Sequence, residues 1–303
     1  MKTKSSIFIL LTGIFLIFLK TGCTSNESPK AQNMPAQLSK KSEKNLNLSI
    51  FLDLSDRIDP NKYPNQTLEI YQRDLGYIKT LGEVFQEHLN NTRISGMDET
   101  MQLFFEPEPN ASEINELANK MKLVFNKSTV TPEKIKDVTP TYVSCSNKIY
   151  ELALKQREFV GSDIWSFFKN KVKDQCIKPG HRNVLVILTD GYMFHRDNQL
   201  KVGKKTSYLT PELISKEKLN YVNYAERMDN GKIGFLSATN DLQDLKVLVI
   251  GINPQKGRNF EEDVMKKYWS NWLDSMGVKE YQLKGTDLPT YMNTIIKDFV
   301  SKK

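Results

Sequence analysis

Two aspartates stand where apolar runs end. Residues 48–52 (LSIFL) lead into Asp53, which is followed by Leu54, Ser55, Asp56 and Arg57. Residues 184–188 (VLVIL) lead into Thr189, Asp190 and Gly191. A third stretch, Gly161-Ser162-Asp163-Ile164, offers another hydroxyl and another carboxylate 28 positions before Asp190. Carboxylates and hydroxyls gathered in one place form the hard oxygen donor set that Mg2+ or Mn2+ takes, with Ca2+ a further candidate. Each fragment alone is weak evidence. An aspartate at a strand end is common, and Ser162 reads equally well as a helix N-cap. Thr139 and Thr141 are alternative hydroxyls, but they lie far upstream of Asp190 and flank Pro140.

These residues need elements that bring them together. The runs at 48–52, 184–188 and 245–252 are short, continuously apolar and bounded by turn residues, as strands buried on both faces are. Residues 101–105 predict another strand, stopped by Pro107 and Pro109, and residues 281–283 a short one. Between them lie helical spacings. Tyr71, Leu75, Ile78, Phe85 and Leu89 mark a long helix ending near Asn90 and Asn91. Further helices are expected over residues 111–125, after Asn110 as cap, and over about 142–159. Another spans 260–276, ended by Gly277, and the last follows a cap at Asp287, with Leu288, Met292, Ile295 and Phe299 as its buried stripe. The βα alternation predicts an α/β fold: a Rossmann-like open, mainly parallel sheet with helices on both faces in three layers. Residues 192–244 are too long for a structureless connection, so an inserted subregion with helix near 211–228 is expected, overhanging the lip from which Asp190 leads and shaping partner choice.

The set Asp53-x-Ser55, Ser162 and Thr189-Asp190-Gly191 resembles the von Willebrand factor A domain with its metal-ion-dependent adhesion site, over roughly residues 46–301. The resemblance implies that Asp53, Ser55, Ser162 and Asp190 surround a divalent cation, and that the open coordination position accepts a carboxylate from a partner protein; Asp163 is a further candidate oxygen ligand that partly makes up for the serine absent at position 57. Arg57 departs from the pattern, which has a second serine there. A guanidinium only donates hydrogen bonds and carries a fixed positive charge, so it modifies the site.

The N-terminus reads as an address. Lys2 and Lys4 precede a 13-residue apolar run at 7–19, too short to span a bilayer and suited to a signal peptide. Gly22-Cys23 after that run resembles a bacterial lipobox, although Lys20 stands where the pattern prefers leucine. The expected division is a signal peptide at 1–22, a flexible polar tether at 23–46 from a lipidated Cys23, and a domain at 46–303. This places the chain in the bacterial cell envelope, on the periplasmic side of the outer membrane, touching the membrane through its lipid only. Cys145 and Cys176 either pair in that oxidising compartment or remain two buried thiols.

Composition narrows the partners. Net charge is +7, and +4 without the three lysines of the N-terminal segment, which is too mild and too dispersed for nucleic acid. Trp165, Trp269 and Trp272 read as packing residues. His88 is expected in solvent and His195 near the rim. No phosphate-binding loop, dinucleotide fingerprint, zinc-protease helix or nucleophile elbow occurs. The expected function is therefore non-enzymatic: a protein-binding module engaging a partner carboxylate through the cation. Two alternatives remain. One is a metal-free structural or assembly lipoprotein. The other is a phosphatase of the haloacid dehalogenase type with Asp53 as nucleophile, although Ser55 stands where that chemistry needs a second aspartate.

Overall fold

The computed structural model describes residues 44–156, 159 and 161–302. The proposed signal peptide, Cys23 and the tether as far as residue 43 lie outside them.

Six strands make the central sheet: β1 Leu46–Leu52, β2 Asp98–Phe104, β3 Leu123–Asn126, β4 Arg182–Leu188, β5 Leu245–Ile252 and β6 Glu280–Gly285, in the order β6-β5-β4-β1-β2-β3. All neighbours run parallel except β3, which is antiparallel to β2. The chain builds outward from β1 through β2 to β3, then crosses back to place β4 on the other side of β1. The order therefore reverses between β1 and β4, the point at which α/β sheets of this kind form their binding crevice.

Every residue of β1 is buried. Its alternate side chains enter different cores: Leu46, Leu48, Ile50 and Leu52 face one, and Phe51 the other. The first core is closed by α1 (Ile70–Asn91), α2 (Ser112–Lys120), α3 (Val138–Leu154) and the C-terminal helix Pro289–Ser301. The second is closed by α4 (Ile164–Asn170) and α5 (Glu261–Ser275), and contains all three tryptophans. Their indole N–H groups are satisfied. Trp165 and Trp272 both donate to the carbonyl of Leu236, and Trp269 donates to that of Gly191.

One row of polar side chains crosses the buried middle of the sheet. Thr100 Oγ1 donates to Asn47 Oδ1, and Asn47 Nδ2 donates to Asn183 Oδ1 at 2.9 Å. These three residues are register partners on β2, β1 and β4. A one-residue slip would break the row and turn each strand's side chains to the opposite face, so the row helps fix the height at which Asp53 leaves the sheet.

Several boundaries differ from the sequence expectation. The helix predicted over 111–125 ends at Lys120, and Leu123–Asn126 forms β3 against β2. Its N-cap is Ala111, so Asn110 does not cap it. The helix predicted over 142–159 runs Val138–Leu154. The last helix starts from Leu288 with Pro289 in its first turn, and it buries Met292, Ile296, Phe299 and Val300, leaving Ile295 half-buried. Residues 192–244 fold into the domain. They carry the helices Pro211–Lys216 and Tyr224–Gly231 and a three-stranded sheet of Lys201–Val202, Lys205–Thr206 and Gly234–Phe235, and Met193, Leu209, Ile214 and Phe235 join the second core. Cys145 and Cys176 are free, buried thiols in different cores.

Candidate functional site

The sequence motifs converge on one lip of the sheet. β1 and β4 end side by side, and the Asp53 N–H donates to the Leu188 carbonyl at 3.0 Å. Thr189 Oγ1 donates to Asp53 Oδ2 at 2.8 Å, while the Ser55 N–H donates to Asp53 Oδ1 at 2.9 Å. Both oxygens of the buried Asp53 carboxylate are thus engaged. Asp190 follows at the end of β4, half-buried, with Oδ1 accepting the Tyr192 N–H at 3.1 Å. Burial and the neighbouring negative charge of Asp53, partly offset by Arg57, push its carboxyl up to about 7. Gly191 completes the turn at φ +91°, a left-handed conformation that calls for glycine.

Ser162 reaches the same lip from a separate segment. Gly161–Ser162 pairs antiparallel with Phe194–His195, and the Asp163 N–H donates to the Glu106 carbonyl just past β2. Ser162 lines a cleft with Leu52 and Leu54, the residues on either side of Asp53. It is 5% exposed, and its Oγ has no hydrogen-bond partner. Asp163 is occupied otherwise. Its Oδ1 caps α4 by accepting the Ser166 N–H, and both its oxygens accept from Asn198 Nδ2 at 2.9 Å. His195 lies beside it, with Nδ1 3.9 Å from Asp163 Oδ2.

Arg57 dominates the arrangement. It lies in a short 3-10 turn, Asp56–Ile58, and is 2% exposed. Nε donates to the Asp53 carbonyl at 2.9 Å and lies 3.6 Å from Asp53 Oδ2. Nη2 donates to Asp74 Oδ2 at 2.7 Å and to the Leu188 carbonyl at 3.0 Å, and Nη1 is buried without a partner. The phenol of Tyr150, on α3, donates to the same Asp74 oxygen at 2.7 Å. Burial alone would lower the arginine's pKa, but Asp74 and Asp53 more than offset it and hold the guanidinium charged. Burial, with Asp74 adding to it, keeps the Tyr150 phenol protonated and able to donate.

This geometry leaves little for a divalent ion of the kind the resemblance implies. Position 57 supplies no hydroxyl, a fixed cation sits against Asp53, and Asp163 is committed to a helix cap and to Asn198. No group of three or more histidine, cysteine, aspartate or glutamate side chains suited to a metal occurs among the described residues. Ser55, Ser162 and Asp190 retain the right chemistry, but the set as arranged does not fit the ion.

Asp74 and Tyr150 belong to the site without appearing in any sequence motif, and Thr189 of the Thr189-Asp190-Gly191 motif holds Asp53. Asp74 carried a readable signal, because it falls on the buried stripe of α1 with Ile70, Tyr77 and Leu81, where an acid requires a partner. His88, expected in solvent, instead has Nε2 3.1 Å from the buried Glu99 Oε2, with its own side chain 12% exposed.

No family model matches the chain, and no curated protein matches it in sequence. Among solved structures it is similar to the D319A mutant of the PilB minor pilin from Streptococcus sanguinis, at 12% identity and TM-score 0.44, covering 86% of this chain and 62% of that one. It is also similar to an aerotolerance-related membrane protein from Bacteroides fragilis, at 11% identity and TM-score 0.35, covering 86% and 100%. The conserved hypothetical protein BatB from Bacteroides thetaiotaomicron is matched at 10% identity and TM-score 0.34, covering 85% and 98%. At these values none of the three bears on what this chain does.

Proposed function

We propose that the chain is an envelope-anchored protein-binding module on a von Willebrand factor A-like scaffold, that its contact face is the lip where β1 and β4 end, and that it binds without a divalent ion. Of the readings open from sequence, this is the metal-free one. The observation that carries it is the buried Arg57 guanidinium, which already compensates the strand-end Asp53 together with Asp74 of α1, at the point where an ion would otherwise have to balance Asp53. Ser55 and Asp190, both partly exposed, then serve as hydrogen-bonding groups of the contact face. The phosphatase alternative is disfavoured by the same geometry, since both oxygens of Asp53 are hydrogen-bonded and a guanidinium lies behind the carboxylate.

The test uses the full chain in its native host, with a photo-crosslinking residue at position 55. A specific crosslinked partner is expected, unchanged by EDTA and lost on Asp190→Lys. Crosslinks that disappear with EDTA would restore the ion-dependent reading, and crosslinks indifferent to Asp190→Lys would move the contact face elsewhere.

A further inference from the structure

The hydrogen bonds of Arg57 do a specific kind of work. A divalent ion at the end of an α/β sheet joins elements that are distant in sequence by collecting oxygen ligands from each. Arg57 collects oxygens from three: the Asp53 carbonyl at the end of β1, the Leu188 carbonyl at the end of β4, and the Asp74 carboxylate on α1. Tyr150 ties α3 into the same cluster through Asp74. Only a forked, planar cation can do this. The single nitrogen of a lysine could not spread its donors over the same span.

The charge balance has the same consequence. Asp53 and Asp74 are nearly solvent-free, with side chains 3% and 2% exposed, and the guanidinium lies between them at 1%. Two buried carboxylates without a cation would be strongly unfavourable, so the site requires a positive charge at this point. An ion provides it only when its concentration allows. Arg57 provides it covalently.

We propose that Arg57 is a built-in replacement for the divalent ion, which holds the lip permanently assembled, and that removing the guanidinium exposes a latent cation site. The inference deepens the ion-free reading above and rests on it only in part, because it concerns the isolated chain and needs no partner. The substitution Arg57→Ser places a second serine two positions beyond Ser55 and leaves Asp74 without its cation. An ion entering where the arginine head had been would find the Asp53 and Asp74 carboxylates that flank it. The wild-type lip is then constitutive: partner binding does not follow the ambient concentration of Mg2+, Mn2+ or Ca2+.

The experiment is calorimetric and thermal titration of the purified chain with MnCl2. Wild type is expected to show no saturable heat and the same Tm in Mn2+ as in EDTA. Arg57→Ser is expected to bind Mn2+ saturably and to melt about 5 °C or more higher in roughly 1 mM Mn2+ than in EDTA. An Arg57→Ser chain that stays unfolded even in Mn2+ would overturn the proposal, since an ion able to take the guanidinium's place would restore the fold. Saturable Mn2+ binding by wild type would overturn it as well. So would a folded Arg57→Ser chain that takes up no Mn2+. Failure to find a crosslinked partner would count against the proposed function and leave this result standing.

Discussion

Arg57 and Asp74 lie 17 positions apart in sequence and 2.7 Å apart in space, and almost no solvent reaches either side chain. The pair joins the turn after β1 to the second turn of α1, and the Tyr150 phenol closes it from α3. A buried ion pair is weak evidence of net stability, because two charges must be desolvated to form it. Removing one partner is nonetheless costly, because the other charge remains buried and alone.

Asp74→Ala should therefore lower stability by about 3–5 kcal/mol, and Tyr150→Phe by about 1.5–3 kcal/mol for a hydrogen bond to a charged group. The two effects should not add, because both act on the same carboxylate oxygen. Urea midpoints for the two single variants and the double variant measure this. Strict additivity would mean that Tyr150 and Arg57 do not share Asp74.

Ser162→Ala tests whether the buried hydroxyl costs stability. Its hydroxyl is buried without a partner, so deleting it removes an unsatisfied polar group and should leave the urea midpoint unchanged or slightly raised. A clear loss of stability would show that the hydroxyl already has a partner within the fold.

Much of the fold was legible because burial on both faces leaves a plain mark. β4 and β5 are continuous aliphatic runs, and each ends in turn residues that place Asp190 and Asn253 at the lip. The edge strand β3 left no such mark. Its four residues alternate in exposure and follow directly on the amphipathic α2, so the helical spacing runs on through Phe125. That the strands leading into Asp53 and Asp190 end side by side followed from the motifs and the strand order. The occupant did not: an arginine at position 57 was visibly a departure, but its direction depended on Asp74, and an acid on the buried stripe of α1 signals that it needs a partner without naming which one.

Gly161 tests how Ser162 is held. Its φ is +91°, and a Cβ there would stand 2.8 Å from the Phe194 carbonyl oxygen. Gly161→Ala should therefore both strain the backbone and push apart the two-residue pairing with Phe194–His195. Hydrogen exchange at the Gly161–Ser162 and Phe194–His195 amides should accelerate, while β1 and β4 remain protected. Unchanged exchange at those amides would show that the segment is held by the Asp163 contacts alone.

Asp190 gives the pH dependence, and its sign follows from the direction of the shift. Its carboxyl is raised from an ordinary value of 3.8 to about 7 by burial and by Asp53, with Arg57 and the Tyr192 N–H pulling the other way. Between those two values the folded chain holds a proton that the unfolded chain has released, so stability falls as pH rises across the window and levels off above it. Asp190→Asn carries no titrating group there. In EDTA, wild-type Tm should decline from about pH 4 to about pH 7 relative to the variant, and the two curves should run parallel above that range. A difference that instead grew with acid, below pH 4, would mean that the carboxylate is stabilised in its charged form, and that the positive charge of Arg57 reaches Asp190 as strongly as it reaches Asp74.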